Sequence, residues 1–463
     1  MAKYEVYAEY KDSGVEWLGE IPSHWKITAL KRYCAVKGGY AFSSDIFSSV
    51  GAPVIRIGDI KTDGSISLES CKFIPTELAK SSQAYLVEKG QLLMAMTGAT
   101  IGKAGVYVND SPAYLNQRVG KFVIDNNELN YNFLWYTLKT NGYQEYIKLT
   151  AFGGAQPNIS DTGMVDYISC FPSIIEQTQI ANFLDHETAQ INSLIEKQQQ
   201  LIQLLKEKRQ AGISHAVTKG LNPNVPMKDS GVEWLGAMPE HWTLSNLKYF
   251  ASIQGGYAFN SDLFVEEGTQ VLRIGNVYQN TLSLDRQPTY ISNELVKNFK
   301  NFIVSKNDVL MSLTGTLGKR DYGFAIKVKT DENYLLNQRV AKISPNHSKI
   351  DTDFMVYVLW SESYLTQLYS LPSGTKQANL SNSDVLGIQI VIPPSLEEQQ
   401  AIAKYLENKL LKFDDMILKA ESAIQLMQER RTALISAAVT GKIDVRNWQN
   451  PNNNNEAKTE FSA

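Results

Sequence analysis

Two stretches of the chain carry apolar residues at alternating three- and four-residue spacing across several heptads. In the later one Ile402, Leu406, Leu410, Phe413, Ile417, Ala420, Ile424, Met427, Leu434 and Ala438 mostly keep that spacing. In the earlier one Ile180, Leu184, Ile191, Leu194, Leu201 and Leu205 do the same. So narrow a stripe is a coiled-coil seam rather than a broad globular face. No Gly or Pro interrupts the earlier stretch before Gly212, or the later one before Gly441. Each opens on the same pattern, Pro172-Ser173-Ile174-Ile175-Glu176-Gln177 and Pro394-Ser395-Leu396-Glu397-Glu398-Gln399. Ser followed by Glu three residues on predicts a capping box, with Pro just outside the helix. The pattern thus predicts long helices over 172–217 and 394–445, each on the order of 60 Å at ~1.5 Å per residue. Their obvious partners are each other, as an intramolecular spacer.

Outside these helices the pattern shortens. Residues 54–57, 91–96 and 119–124 and their later counterparts are strand-like, and 131–149 and 354–369 have the period of amphipathic helices. The chain also repeats itself. Lys11-Asp12-Ser13-Gly14-Val15-Glu16-Trp17-Leu18-Gly19, with Pro22 and His24-Trp25 behind it, returns as Lys228-Asp229-Ser230-Gly231-Val232-Glu233-Trp234-Leu235-Gly236, with Pro239 and His241-Trp242. Gly38-Gly39-Tyr40-Ala41-Phe42 returns at 255–259, Val54-Ile55-Arg56-Ile57-Gly58-Asp59 at 271–276, and Leu115-Asn116-Gln117-Arg118-Val119 at 336–340. A unit of roughly 220 residues is used twice, too long a period for a solenoid. Residues 1–10 read as an irregular lead-in, 218–227 as a linker with Pro223 and Pro226, and the Asn-rich tail as disordered.

Composition changes this picture little. With 463 residues, 43% hydrophobic and 20% charged, most of the chain is expected to fold, into two to four domains. No apolar run approaches a membrane span, the N-terminus lacks a signal-peptide core, and Cys34, Cys71 and Cys170 show no paired spacing. A cytoplasmic protein without disulfides or zinc is expected. The net charge of −3 does not advertise nucleic acid, though whole-chain charge says little of a local surface. Gly98-Ala99-Thr100-Ile101-Gly102-Lys103 resembles a phosphate-binding loop, but has one residue too few between its glycines, and Ala104 stands where a Ser or Thr is needed. A glycine turn between strands is the better reading. The five histidines have no metal-ligand spacing, and His24 and His241, each before Trp, read as packing residues. No nucleophile elbow or dinucleotide fingerprint appears. No catalytic residue and no metal ligand is expected.

The repeated Lys-Asp-Ser-Gly-Val-Glu-Trp-Leu-Gly signature with Pro and His-Trp resembles that of type I restriction enzyme specificity subunits. So do the Thr-Gly and Gly-Lys turns, the Asn-Gln-Arg segments, the Pro-x-x-x-Glu-Gln helix openings and the ending Ala438-Val439-Thr440-Gly441-Lys442-Ile443. The resemblance runs from about Tyr10 to Val445. It implies an α+β protein in which two tandem mixed α/β target recognition domains are separated by two long antiparallel coiled-coil helices, pseudo-twofold through an internal duplication. The expected order is a lead-in and signature (1–24), the first recognition domain (25–171), the central helix (172–217), and a linker with the second signature (218–241). The second recognition domain (242–393), the C-terminal helix (394–445) and the tail (446–463) follow. Each recognition domain would read one half of a split site in double-stranded DNA, with the helices as a ruler. Two methyltransferase subunits and two motor–nuclease subunits are the implied partners. They would bring S-adenosylmethionine, ATP and magnesium; this chain is expected to bind no cofactor and to be no enzyme by itself. A modification-only or other phage-defence methylation system, and a coiled-coil scaffold that binds no DNA, are the alternatives; the scaffold leaves the duplicated globular domains unexplained.

The duplication sorts the candidate DNA contacts. Residues identical in both copies cannot alone distinguish two different half-sites. Tyr40 and Tyr257, Arg56 and Arg273, Lys103 and Lys319, Gln117 and Gln338, and Arg118 and Arg339 are therefore scaffold or phosphate contacts first. Base reading is expected where the copies diverge, on polar loops. Ser43 against Asn260, Asp59 against Asn276, and the stretch holding Lys61 against the one holding Arg286 are such places. So is the loop with Gln156 against the one with Lys376 and Gln377. The basic residues Lys197, Lys206, Lys208, Arg209 and Lys219 of the first long helix read as a solvated face or a contact with a methyltransferase partner.

Overall fold

The structure, a computed structural model, describes residues 4–124, 126–154, 156–371 and 376–451. They form two units, one built from the chain up to Gln198 and from Ser422 onward, the other from Gln199–Glu421. Each unit holds one globular domain and a segment of both long helices.

Both domains are layered for the same reason. Leu92–Ala95 is buried at every position, so its alternate side chains face opposite cores. Leu92 and Met94 join the cluster that includes Phe133, Leu134, Ile180 and Leu184, whereas Leu93 and Ala95 join Ile55, Leu115 and Val119. Leu92–Ala95 belongs to a four-stranded antiparallel sheet in the order Cys34–Gly38, Val119–Ile124, Leu92–Ala95, Ala104–Val106. A second sheet packs on its far side, ordered Lys72–Ile74, Ala52–Ile55, Ala113–Leu115, Leu86–Val87, with Ala52–Ile55 parallel to Ala113–Leu115. The second unit repeats the arrangement around Val309–Ser312, whose Val309 and Met311 face one core and Leu310 the other. Its second sheet has five strands, again with one parallel pair, Thr269–Leu272 and Tyr334–Leu336.

The expected amphipathic helices are each two. Tyr131–Leu138 is followed by Asn141–Thr150, and Thr352–Trp360 by Glu362–Ser370. A hydroxyl makes each break: Thr140 and Ser361, in extended backbone, accept from the N–H groups of Tyr143 and Tyr364 as N-caps.

The long helices span Ile174–Lys219, 46 residues, and Leu396–Val439, 44 residues. The later one stops short of the expected 445 because Gly441, at φ +73, takes the left-handed C-terminal position and Lys442 N–H bonds back to the Ala437 carbonyl. In the first unit their segments run antiparallel, with Arg431 donating to the Asn192 side-chain carbonyl and Gln179 to the Arg446 carbonyl just beyond the later helix. In the second they do so as well, with Arg209 on Asp414 and Gly212 beside Lys409. Most of the expected seam is buried, but Leu194 and Leu201 are exposed; Ile195, four residues after Ile191, takes the inward place.

Both helix openings differ from a capping box. Ser173 and Ser395 cap the N–H groups of Glu176 and Glu398 as expected. The glutamate carboxylates instead turn to the His-Trp signatures. Glu176 accepts from Trp25 Nε1 at 3.1 Å and from the Tyr7 hydroxyl at 2.7 Å, and lies 3.1 Å from His24 Nε2. Glu398 accepts from Trp242 Nε1 at 3.0 Å and meets His241. The next residue is a second clamp. The Gln177 amide donates to the Glu128 and Pro172 carbonyls and accepts from Asn130 N–H, as Gln399 does with Lys349, Pro393 and Asp351. His24 and His241, expected as packing residues, are exposed and pair with these glutamates at the helix openings.

Residues 4–9 of the lead-in are irregular, as expected, and two tyrosines dock them. Tyr7 is 3% exposed, with Arg446 stacked 4.9 Å from its ring, and Tyr4 packs edge-on against Phe183. Burial first, then the Glu176 carboxylate, holds the Tyr7 phenol far above its ordinary range, so it stays a donor. The tail expected to be disordered falls in two parts: Trp448 packs on Phe183 and His186, whereas 452–463 lie outside the described residues. No helix among the described residues is long and apolar enough to cross a membrane, and no three His, Cys, Asp or Glu side chains gather there as a metal site.

Candidate nucleic-acid interface

The repeated motifs, far apart in sequence, meet at one edge of each domain. Gly39 lies so close to the segment 115–116 that a Cβ on it would collide with the Leu115 and Asn116 carbonyls. Tyr40 N–H donates to the Leu115 carbonyl, and Gln117 N–H to that of Tyr40. Asn116 N–H bonds Ile55, which ties in the Val-Ile-Arg-Ile-Gly segment, and Met96 N–H bonds the Arg118 carbonyl. The glycine turn joins from the other side. Thr97 bridges to Asn158, Gly98 N–H donates to the Pro157 carbonyl, and Ile159 N–H to that of Met96. The second domain repeats these contacts through Gly256, Tyr257, Asn337, Gln338, Arg339 and Leu380. There the loop pairing is a two-stranded sheet, Thr314–Thr316 with Gln377–Asn379. Gly98–Thr100 is a 3-10 turn between the antiparallel strands Leu92–Ala95 and Ala104–Val106, so the phosphate-loop resemblance resolves into a hairpin turn.

In the first domain this convergence leaves an open groove of about 700 Å³ lined by Gln117, Arg118 and Gln156 together with Thr97, Asn158, Ser160, Asp161 and Thr162. Gln117, Arg118 and Gln156 are exposed, and their side chains make no hydrogen bond or ion pair among the described residues. Gln338, Arg339, Lys376 and Gln377 are likewise exposed in the second domain. The hydroxyls of Thr97 and Thr314 are buried without a partner. The free Gln117 and Gln156 amides and the Arg118 guanidinium can bond base edges or phosphates, beside the Asp161 carboxylate, whereas the Ser160 and Thr162 hydroxyls are engaged with each other.

Other candidate residues stand elsewhere. Asp59 is 2% exposed; its carboxylate accepts from Arg56 N–H, and burial pushes that carboxyl up against the pull of Arg56. Asn276, 1% exposed, accepts from Arg273 N–H and donates to the Ser283 and Arg286 carbonyls. Both polar groups are engaged in closing their own loops. Arg56 is half-buried with Nε unpartnered, whereas Arg273 is exposed and reaches Thr289. Lys61 bonds the Gly58 carbonyl, and Arg286 lies 4.7 Å over the Tyr278 ring. Tyr40 and Tyr257 are exposed yet packed edge-on against Phe42 and Phe259. Ser43 and Asn260 precede short 3-10 turns; Asn260 caps its turn. Lys103 and Lys319 lie at the ends of the glycine turns and make no side-chain bond among the described residues. Sequence reasoning missed Thr97, Asp161 and Thr162 as groove residues; the recurrence of Thr97 as Thr314 was the available signal. Arg209, read as a solvated or partner-facing residue, pairs with Asp414 at 3.1 Å.

Comparison with known proteins places the chain. The family model for the type I restriction modification DNA specificity domain matches twice, at residues 22–204 and 239–422. The chain belongs to that family. It is 25% identical over 456 residues to the EcoBI type I restriction enzyme specificity subunit of Escherichia coli, covering 96% of this chain and 91% of that protein. It is 24% identical over 372 residues to the MjaVIII specificity subunit of Methanocaldococcus jannaschii, covering 79% and 82%. A structure solved in work on complex assembly and conformational transition of the type I R-M system shares the fold. It has a TM-score of 0.68 at 14% identity over 91% of this chain and 99% of its own.

Proposed function

We propose that each domain binds one half of a bipartite DNA site through its groove and the neighbouring loops, and thereby directs adenine methylation and ATP-dependent restriction by partner subunits. The observation that carries this is the duplicated convergence: the same exposed, unpartnered Gln-Arg pair stands over the same glycine turn in both domains. The shared residues Gln117, Arg118, Gln338 and Arg339 serve both domains alike, as phosphate and common-base contacts. Lys103, Lys319, Arg56 and Arg273 extend that set, and Lys61, Arg286 and Lys376 carry the loops in which the domains differ. Two methyltransferase and two motor–nuclease subunits complete the assembly in the cytoplasm. Those subunits use S-adenosylmethionine, ATP and magnesium, and this chain is their non-catalytic reader.

Methylation mapping tests this reading. Expressed with its methyltransferase subunit in a host free of adenine methylation, the chain is expected to direct modification to a single split motif with a fixed gap. An active, stably assembled methyltransferase that modifies no such motif would refute it. Arg286→Ala is expected to relax base choice in the second half-site only, by roughly tenfold at one position if the guanidinium reads a base edge. Uniform weakening on every sequence would make Arg286 a phosphate contact.

A further inference from the structure

We propose that Asp161 in the first domain and Asn382 in the second make the two grooves select different bases, an assignment that rests on the DNA-reading function proposed above. The residues that line the first groove have near-identical counterparts in the second domain. Gln117, Arg118, Gln156 and Asn158 have identical counterparts in Gln338, Arg339, Gln377 and Asn379. Thr162 against Ser383 keeps its hydroxyl, and Met96 against Leu313 and Ile159 against Leu380 stay apolar. One lining position changes its charge and its hydrogen-bonding set, Asp161 against Asn382.

Both side chains stand at the same place. Asp161 follows the capping residue Ser160, and its Oδ2 accepts from Gly38 N–H at 3.3 Å, the long end of the range. Asp161 lines the groove with Arg118 and Gln156, and its Oδ1 makes no hydrogen bond among the described residues. Asn382 follows Ser381 in the same way. A Cβ on Gly255, the counterpart of Gly38, would lie 3.9 Å from both Oδ1 and Nδ2 of Asn382. The Asn382 amide makes no hydrogen bond among the described residues.

The chemistry separates what each can accept. A carboxylate only accepts, so it suits a base that offers an amino group in the major groove, cytosine N4 or adenine N6. It repels the carbonyl and ring-nitrogen acceptors of guanine and the O4 of thymine. A carboxamide both donates and accepts, which matches adenine N6 and N7 together and tolerates an acceptor edge. The first groove therefore demands an amino-bearing base at a position where the second does not.

The test compares adenine methylomes directed by the unaltered chain, D161N and N382D, each with its methyltransferase subunit. D161N is expected to shift base choice at one position of the first half-site by about tenfold or more, with the second half-site and the gap unchanged. The unchanged half is the control for folding. N382D should do the reverse and impose an amino-bearing base in the second half-site. Two variants that keep the original motif would overturn the assignment, as would identical half-sites from the unaltered chain. Loss of all methylation by both variants, with the subunits still assembled, would make the pair scaffold and overturn it too. Absence of any split motif from the unaltered chain would remove the DNA-reading function itself, and this assignment with it.

Discussion

Glu176→Ala is expected to destabilise the first unit by about 3 kcal/mol, whereas Glu398→Ala should cost about 1 kcal/mol. The difference follows from what each carboxylate holds. Glu176 is 6% exposed and is the acceptor for the indole of Trp25, itself fully buried, and for the hydroxyl of Tyr7. A buried donor left without a partner costs roughly 1–3 kcal/mol, so two such donors account for the larger figure. His24 adds little, because it is half in solvent and can rehydrate. Glu398 is 34% exposed and serves Trp242 and His241, with no tyrosine. Glu176→Gln keeps an acceptor in place and should recover most of the loss, which separates hydrogen bonding from charge. Hydrogen exchange read on peptides covering 20–30 and 174–182 would show the effect where it arises. Equal losses from the two alanine variants would refute the role given to Tyr7.

The same glutamate shows how far local pattern carries. Ser173 with Glu176 has the spacing of a capping box, and the serine half of it forms. The glutamate is drawn off by Trp25, about 150 residues away in the chain, and nothing in a four-residue pattern contains that contact. Thr140 and Ser361 were visible only as polar residues in apolar helical periods; each breaks its helix because its hydroxyl competes for a backbone N–H. Leu194 fits a heptad and still faces solvent, since Ile195 fills the seam. The repeat itself, the two long helices and the family resemblance were legible because they depend on periodicity and on copies of one sequence. The groove was half legible. Gln117, Arg118 and Gln156 stand out as polar residues near repeated motifs, but Asp59 and Asn276, equally polar and differing between the copies, are turned inward to close their loops. Whether a polar side chain points out or bonds its own backbone depends on loop geometry three residues away, which composition does not encode.

Gly39→Ala tests whether the convergence of motifs is what makes the groove. Gly39 does not have a positive φ, so the constraint is space alone: a Cβ would run into the Leu115 and Asn116 carbonyls. Those are backbone atoms, held by Tyr40 N–H, by the parallel pairing with Ala52–Ile55 and by Asn116 N–H on the Ile55 carbonyl, so they cannot swing aside as a side chain would. Relief requires the Gly-Gly-Tyr segment to part from Leu115–Val119, which carries Gln117 and Arg118 out of register with Gln156. Overpacking of this kind costs typically 1–3 kcal/mol, and about 2–3 kcal/mol here would lower occupancy of the original site roughly 30- to 150-fold. Gly58→Ala is the matched control, since a Cβ there meets nothing within 4 Å and the backbone needs no left-handed conformation. The expected outcome is loss of methylation at the original motif by Gly39→Ala, near-normal methylation by Gly58→Ala, and the same loss for Gly256→Ala through the second domain. If Gly39→Ala kept the first half-site intact, base reading would have to come from loops that do not depend on the Gly-Gly-Tyr contact. The stretch holding Lys61 would then replace the groove as the reading surface.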